Sequence, residues 1–61
     1  MDSKTIHALM QARTPVTYDG IQYDRIAEYI SWYDHLGKHN LSVVLIRGKS
    51  TIRVLADKIS L

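Results

Sequence analysis

From Tyr18 to Leu61 the chain reads as four or five short strands joined by tight turns, in a total of only 61 residues. A chain of this size buries about 60% of the surface its unfolded form exposes. One domain, residues 1–61, with one small core is all it can build. Below roughly 70 to 80 residues such a core seldom supplies more than about 3–5 kcal/mol, and natural proteins then add disulfides, a structural metal or a partner subunit. There is no cysteine, which removes disulfides, thiol catalysis and Cys-based zinc sites. A homo-oligomer is therefore the expected source of extra stability.

Met1 to Arg13 lacks the apolar run of about 7–15 residues that marks a signal peptide, and no segment approaches the roughly 18 apolar residues of a membrane span. The expectation is a soluble, cytoplasmic protein with no membrane contact. Eight Lys and Arg stand against six Asp and Glu, a formal charge of +2. That is no polycation, so the placement of the basic residues matters more than their number.

Residues 2–13 carry the start and stop signals of a short helix. Asp2 or Ser3 can cap it, no Gly or Pro interrupts it, and Thr14-Pro15 ends it. Ile6, Leu9 and Met10 fall on one face, which either covers one end of the strands or meets a neighbouring molecule; His7 lies off that stripe. Residues 15–61 are then predicted to be strands. Asp19-Gly20, between Val16-Thr17-Tyr18 and Ile21-Gln22-Tyr23, is the dipeptide of a type I′ hairpin turn.

The run from Arg25 to Asp34 alternates in two sets. Ile26, Glu28, Ile30 and Trp32 share one side, while Ala27, Tyr29, Ser31 and Tyr33 share the other. Ile30 and Trp32 favour the first set as the core face, with Glu28 requiring a bend or bulge; the second set inward is the alternative. After a turn containing Gly37, Leu41 to Arg47 is strongly β-prone. A two-residue turn at Gly48-Lys49 places Leu45 opposite Ile52 and Val43 opposite Val54, whereas a three-residue loop pairs Ile46 with Ile52 and Val44 with Val54. Ala56-Asp57-Lys58 reads as one helical turn before a closing strand at Ile59-Ser60-Leu61.

Helix, hairpin, long bent strand, hairpin, helical turn and last strand is an order that resembles the small barrels of the Src-homology-3 (SH3-like) and Sm-like types. It implies a mainly β fold, a short N-terminal α-helix followed by a five-stranded antiparallel barrel. The stretches Pro15-Val16-Thr17-Tyr18-Asp19-Gly20, Ile30-Ser31-Trp32-Tyr33-Asp34 and Val54-Leu55-Ala56-Asp57-Lys58 also resemble small phage and prophage proteins of Gram-positive bacteria. That resemblance implies a setting, an accessory protein of a mobile element that acts by binding, including anti-defence proteins that sequester a nucleotide signal or block a host protein. Within the Sm-like family, a phrase resembling Tyr33-Asp34 with Asn40-Leu41 lies around the RNA-binding loop. Here the spacing is longer and the family's preceding glycine is missing, so its pocket residues are not assigned to this chain. Rings of such barrels pair the edge strands of neighbouring subunits.

Other apparent motifs fail on their own chemistry. Gly48-Lys49-Ser50 copies the end of a phosphate-binding loop, but Val43 stands where that motif needs glycine and a strand follows where it needs a helix. His35 and His39, near Asp34, have a metal-like separation but no third ligand on a rigid support, so no metal is expected. Ser31, Ser42, Ser50 and Ser60 lack an evident His partner, and Glu28 with Asp34 is a weak carboxylate pair. With little room for a supporting shell around a catalytic group, the chain is not expected to be an enzyme or to carry a cofactor.

The remaining constellation is aromatic and basic. Tyr29 and Tyr33 share a strand face, Arg25 has the same parity, and Arg47, Lys49 and Arg53 gather around the last hairpin. Aromatic faces stack on bases and cations meet phosphate, so these six residues form the candidate ligand-binding set for a nucleic acid or nucleotide. The bland counterpart is that Tyr fills rims of small barrels and alternating Arg and Lys keep exposed strands soluble. The second expectation is a protein-interaction module that docks Ile6, Leu9 and Met10, or an open strand edge, onto a host or phage protein.

Overall fold

The computed structural model describes every residue, Met1–Leu61. A helix, α1 (Ser3–Ala12), precedes six strands: β1 (Val16–Tyr18), β2 (Ile21–Tyr23), β3 (Arg25–Tyr33), β4 (His39–Arg47), β5 (Ser50–Leu55) and β6 (Ile59–Ser60). A 3₁₀ turn, Ala56–Lys58, separates the last two. The strands form two three-stranded antiparallel sheets, ordered β2-β1-β6 and β3-β4-β5. The fold is thus mainly β with one short N-terminal helix, but it is not the closed five-stranded barrel that the element order implied. β6 is only two residues long and pairs with β1 alone, while β5 pairs with β4 alone. Closure would need a strand long enough to bridge them.

Local chemistry accounts for the helix. The Asp2 carboxylate accepts the Thr5 backbone N–H at 2.8 Å and satisfies one of the free donors of the first turn. That bond, with a lesser contribution from the Thr5 side chain, holds the Asp2 pKa below its ordinary value. The cap's contribution is accordingly complete above the ordinary carboxylate pKa and fades as pH falls through the lowered one. At the other end Arg13 adopts a left-handed conformation, φ 53°, and the Thr14 N–H returns to the Leu9 carbonyl at 3.0 Å. A side chain at this position costs about 1 kcal/mol relative to glycine. Arg13→Gly should therefore raise the urea midpoint by an amount equivalent to about 0.5–1 kcal/mol.

Asp19 and Gly20 both have positive φ, 52° and 76°, as a type I′ turn requires. Asp24 then carries the chain from one sheet to the other. Its N–H donates to the Ile46 carbonyl at 2.7 Å and its carboxylate accepts the Gly48 N–H at 2.9 Å, tying the crossing point to the β4–β5 turn. That turn has the two-residue form, with Arg47 opposite Ser50, Leu45 opposite Ile52 and Val43 opposite Val54.

β3 decides which face is which. Ile26 pairs with Leu45 and Glu28 with Val44, leaving Ala27 unpaired in a bulge. The extra residue resets the alternation, so Ile26 and Tyr29 lie on the same side although they are an odd number apart. The sequence preference for Ile30 and Trp32 as core residues is overturned. Beyond the bulge, Tyr29, Ser31 and Tyr33 take the core side, opposite Val43, Leu41 and His39, and Ile30 and Trp32 take the outer side. The Glu28 anomaly that demanded a bulge marked its location.

The core consists of Ile6, Val16, Tyr23, Ile26, Val43, Leu45, Ala56 and Ile59, and it lies between the two sheets and α1. Leu9, Met10, Tyr29 and Leu41 pack against it. β3 and β4, nine residues each, outrun this core. Their far end projects, giving extents of 35 × 21 × 18 Å and a radius of gyration of 11.4 Å, against about 10.5 Å for a compact chain of this length.

Candidate functional site

The projecting β3–β4 end is held by its own polar groups. The Asp34 carboxylate accepts the N–H groups of Leu36 and Lys38, each at 2.9 Å, and its backbone pairs with Gly37 and Lys38. Gly37 supplies φ 80° for the turn. Asn40 donates from its side chain to the Lys38 carbonyl at 3.0 Å. A turn so fully bonded can present side chains in fixed positions.

Those side chains form a small aromatic and cationic group. Tyr33, 70% exposed, lies directly across from His39, and their rings are 5.0 Å apart and tilted by 36°. The Ser31 hydroxyl hydrogen-bonds His39 Nε2 and sets the imidazole orientation. His39 also lines an open cavity of about 280 Å³, with Met1, Lys38, Asn40, Leu41, Leu55 and Asp57. A cavity of that size is just below the roughly 300–1,000 Å³ of small-ligand sites. Its walls are mixed, with Lys38 and Asp57 as charged groups and Leu41 and Leu55 as apolar ones.

The six residues proposed as a ligand surface are divided by this geometry. Tyr33 stands at the projecting end. Tyr29 is half-buried farther down the same face, edge-on to the His7 ring at 4.8 Å. Arg25 does not share their face, because the Ala27 bulge intervenes and Arg25 pairs with outward-facing Ile46. Arg47 and Lys49 are exposed at the opposite end of β4, about 25 Å from Tyr33 at strand spacing. Arg53 lies on the outer face, with Cζ 5.9 Å from the centre of the Trp32 ring. One mononucleotide cannot touch all six.

The proposed interface residues have a different fate. Ile6 is completely buried, and Leu9 and Met10 pack on the core. The apolar helix stripe covers the strands, as one of its two readings held, and offers little free surface. His39, Lys38 and Asn40 were not in the candidate set. The missing signal was pairing: once a hairpin joins Tyr33 to His39, two rings separated by a turn in sequence become direct cross-strand neighbours.

No group of three or more His, Cys, Asp or Glu side chains is placed to hold a metal ion. No helix is long and apolar enough to cross a membrane. Comparisons with protein-family models, curated proteins and solved structures found no match to the chain.

Proposed function

We propose that this protein acts by binding and not by catalysis, and that its ligand is an anion with a planar aromatic part, a nucleotide or a single-stranded nucleic acid. The observation that supports this is the exposed Tyr33–His39 pair, of which His39, with the adjacent Lys38, also lines the cavity. An aromatic pair offers a stacking face for a base and a lysine offers a partner for phosphate. Arg47, Lys49 and Arg25 then act on longer ligands, as cations along the path of a backbone.

The order of elements, with a long strand bulged at Ala27 and a helical turn before the last strand, supports grouping the chain with SH3-like and Sm-like barrels in an opened form. A cytoplasmic accessory protein of a phage that sequesters a nucleotide signal fits both this binding chemistry and the small size. Base stacking contributes about 1–3 kcal/mol per base. Tyr33→Ala should weaken binding of a fluorescent single-stranded oligonucleotide by about fivefold to a hundredfold in an anisotropy titration, and raising salt should weaken it further. Equal affinity in wild type and variant would remove the reading.

A second reading rests on β5, which is paired on one side only. Its free edge can accept an added strand from a host or phage protein. Binding there tolerates salt and is indifferent to Tyr33→Ala.

A further inference from the structure

We propose that the outer face of the β3-β4-β5 sheet binds the same face of a second copy of this chain, forming a two-fold dimer. The face carries apolar side chains between its charges, and neither α1 nor the other sheet covers it. Ile30, Trp32 and Val44 are half-exposed, Leu55 is 43% exposed, and none of them belongs to the core or to the side chains packed on it. Trp32 lies along the sheet, donating from Nε1 to the Ser42 hydroxyl at 3.1 Å. Ser42 is thereby almost completely buried, at 3% exposure, on a face that is otherwise open. The total accessible surface of 4365 Å² exceeds the roughly 4000 Å² expected of a compact monomer of this mass.

The charges on the face select the occupant. Glu28 on β3 and Arg53 on β5 both lie opposite Val44 on the middle strand, so acid, aliphatic and base form one row across the sheet. In the next row toward the projecting end, Ile30 and Leu55 flank Ser42. Two sheets that pack face to face are related by a two-fold axis lying between them, either along the middle strand or across it. An axis along β4 brings β3 of one copy over β5 of the other. Glu28 then meets Arg53 of the second copy twice, Ile30 meets Leu55 twice, and Val44 meets its equivalent. An axis across the strands through the Val44 row sets Glu28 against Glu28 and Arg53 against Arg53, which like-charge repulsion disfavours, and one between that row and the next buries both charges unpaired against Ile30 and Leu55. The pattern is therefore complementary to itself in one arrangement, as an isologous interface requires. In the single copy the Arg53 side chain leans toward Trp32, its Cζ 5.9 Å from the ring centre, and in the dimer it turns from the ring to the incoming carboxylate.

This dimer differs from a ring joined through strand edges, and it leaves Tyr33 and His39 of each copy free while covering Leu55, one wall of the cavity. One face of a three-stranded sheet presents less than the roughly 800 Å² per partner of a standard interface, so association in the high-micromolar range is expected. The test is solution NMR of the full chain from about 0.05 to about 2 mM, read at the Val44 amide and the Trp32 indole N–H, together with sedimentation equilibrium. Concentration-dependent shifts confined to the outer face and a rise toward the dimer mass are expected. Glu28→Arg or Arg53→Glu alone should weaken association by about tenfold or more, and the double exchange should restore it. Both sites are exposed, and a conserved far-UV circular dichroism spectrum checks that each variant folds. A monomer throughout this range, single variants that associate like wild type, or a double exchange that fails to restore association would each overturn the proposal.

Discussion

Leu45→Ala is expected to leave the chain without a cooperative folded state at 25 °C. Leu45 is fully buried at the centre of β4, with Ile26 across from it on one side and Ile52 on the other. Truncating a buried leucine costs about 2–5 kcal/mol, the transfer of its methyl groups plus the cavity they leave. The whole stability available to a core of this size is about 3–5 kcal/mol. Only nine residues are buried, so few neighbours can relax into the space. A urea titration followed by circular dichroism should show a clear sigmoid for wild type and a shallow, featureless decline for the variant. Leu36→Ala is the control. Leu36 is 82% exposed in the β3–β4 turn, and its loss should move the midpoint by the equivalent of no more than about 0.5 kcal/mol. A Leu45→Ala protein that unfolds cooperatively near the wild-type midpoint would mean that the core extends beyond the eight side chains of the cluster.

Much of this architecture was legible wherever local chemistry decides it. The helix, its cap at Asp2, the Asp19-Gly20 turn and the 3₁₀ turn at Ala56–Lys58 all follow from residues within a few positions of one another. The last hairpin was legible as a hairpin but not in register, because Leu45 and Ile46 are both aliphatic and either could face Ile52. The structure selects Leu45, and the N–H of Gly48 held by the distant Asp24 carboxylate is part of that selection. No reading of neighbours in sequence contains that bond.

The candidate site failed to assemble for a related reason. An unbroken alternation along β3 puts Arg25 on the face of Tyr29. One bulged residue separates them onto opposite faces. The true neighbours of Tyr33 come from the other strand of its hairpin, so the aromatic pair involves His39 and not Tyr29. Trp32 misled in the same way. Its size suggested the core, yet its indole covers Ser42 on the open face. The core lies on the other side of the sheet, where α1 and the second sheet supply the covering layer.

Two single-residue deletions in the same ladder should accordingly have opposite outcomes. Removing Ala27 deletes the one residue of β3 without a partner, and Ile26 and Glu28 then become consecutive opposite Leu45 and Val44, which are consecutive already. Every side chain beyond the bulge keeps its face. What is lost is the local bend, and with it some packing of β3 against α1. This variant should still unfold cooperatively, at a lower urea midpoint. Removing Val44 instead shortens the central strand, which is paired on both sides. Either Leu45 or Val43, both fully buried, must then turn outward, or β3 and β5 must both lose register with β4. Each route exposes at least one core side chain at a cost of about 2–3 kcal/mol, while several ladder hydrogen bonds are broken. No cooperative transition should remain. Well-dispersed amide NMR spectra for the Ala27 deletion and collapsed spectra for the Val44 deletion would show that the bulge bends a strand whose register is set elsewhere. Loss of dispersion in both would show that the bend itself is required for the sheets to meet.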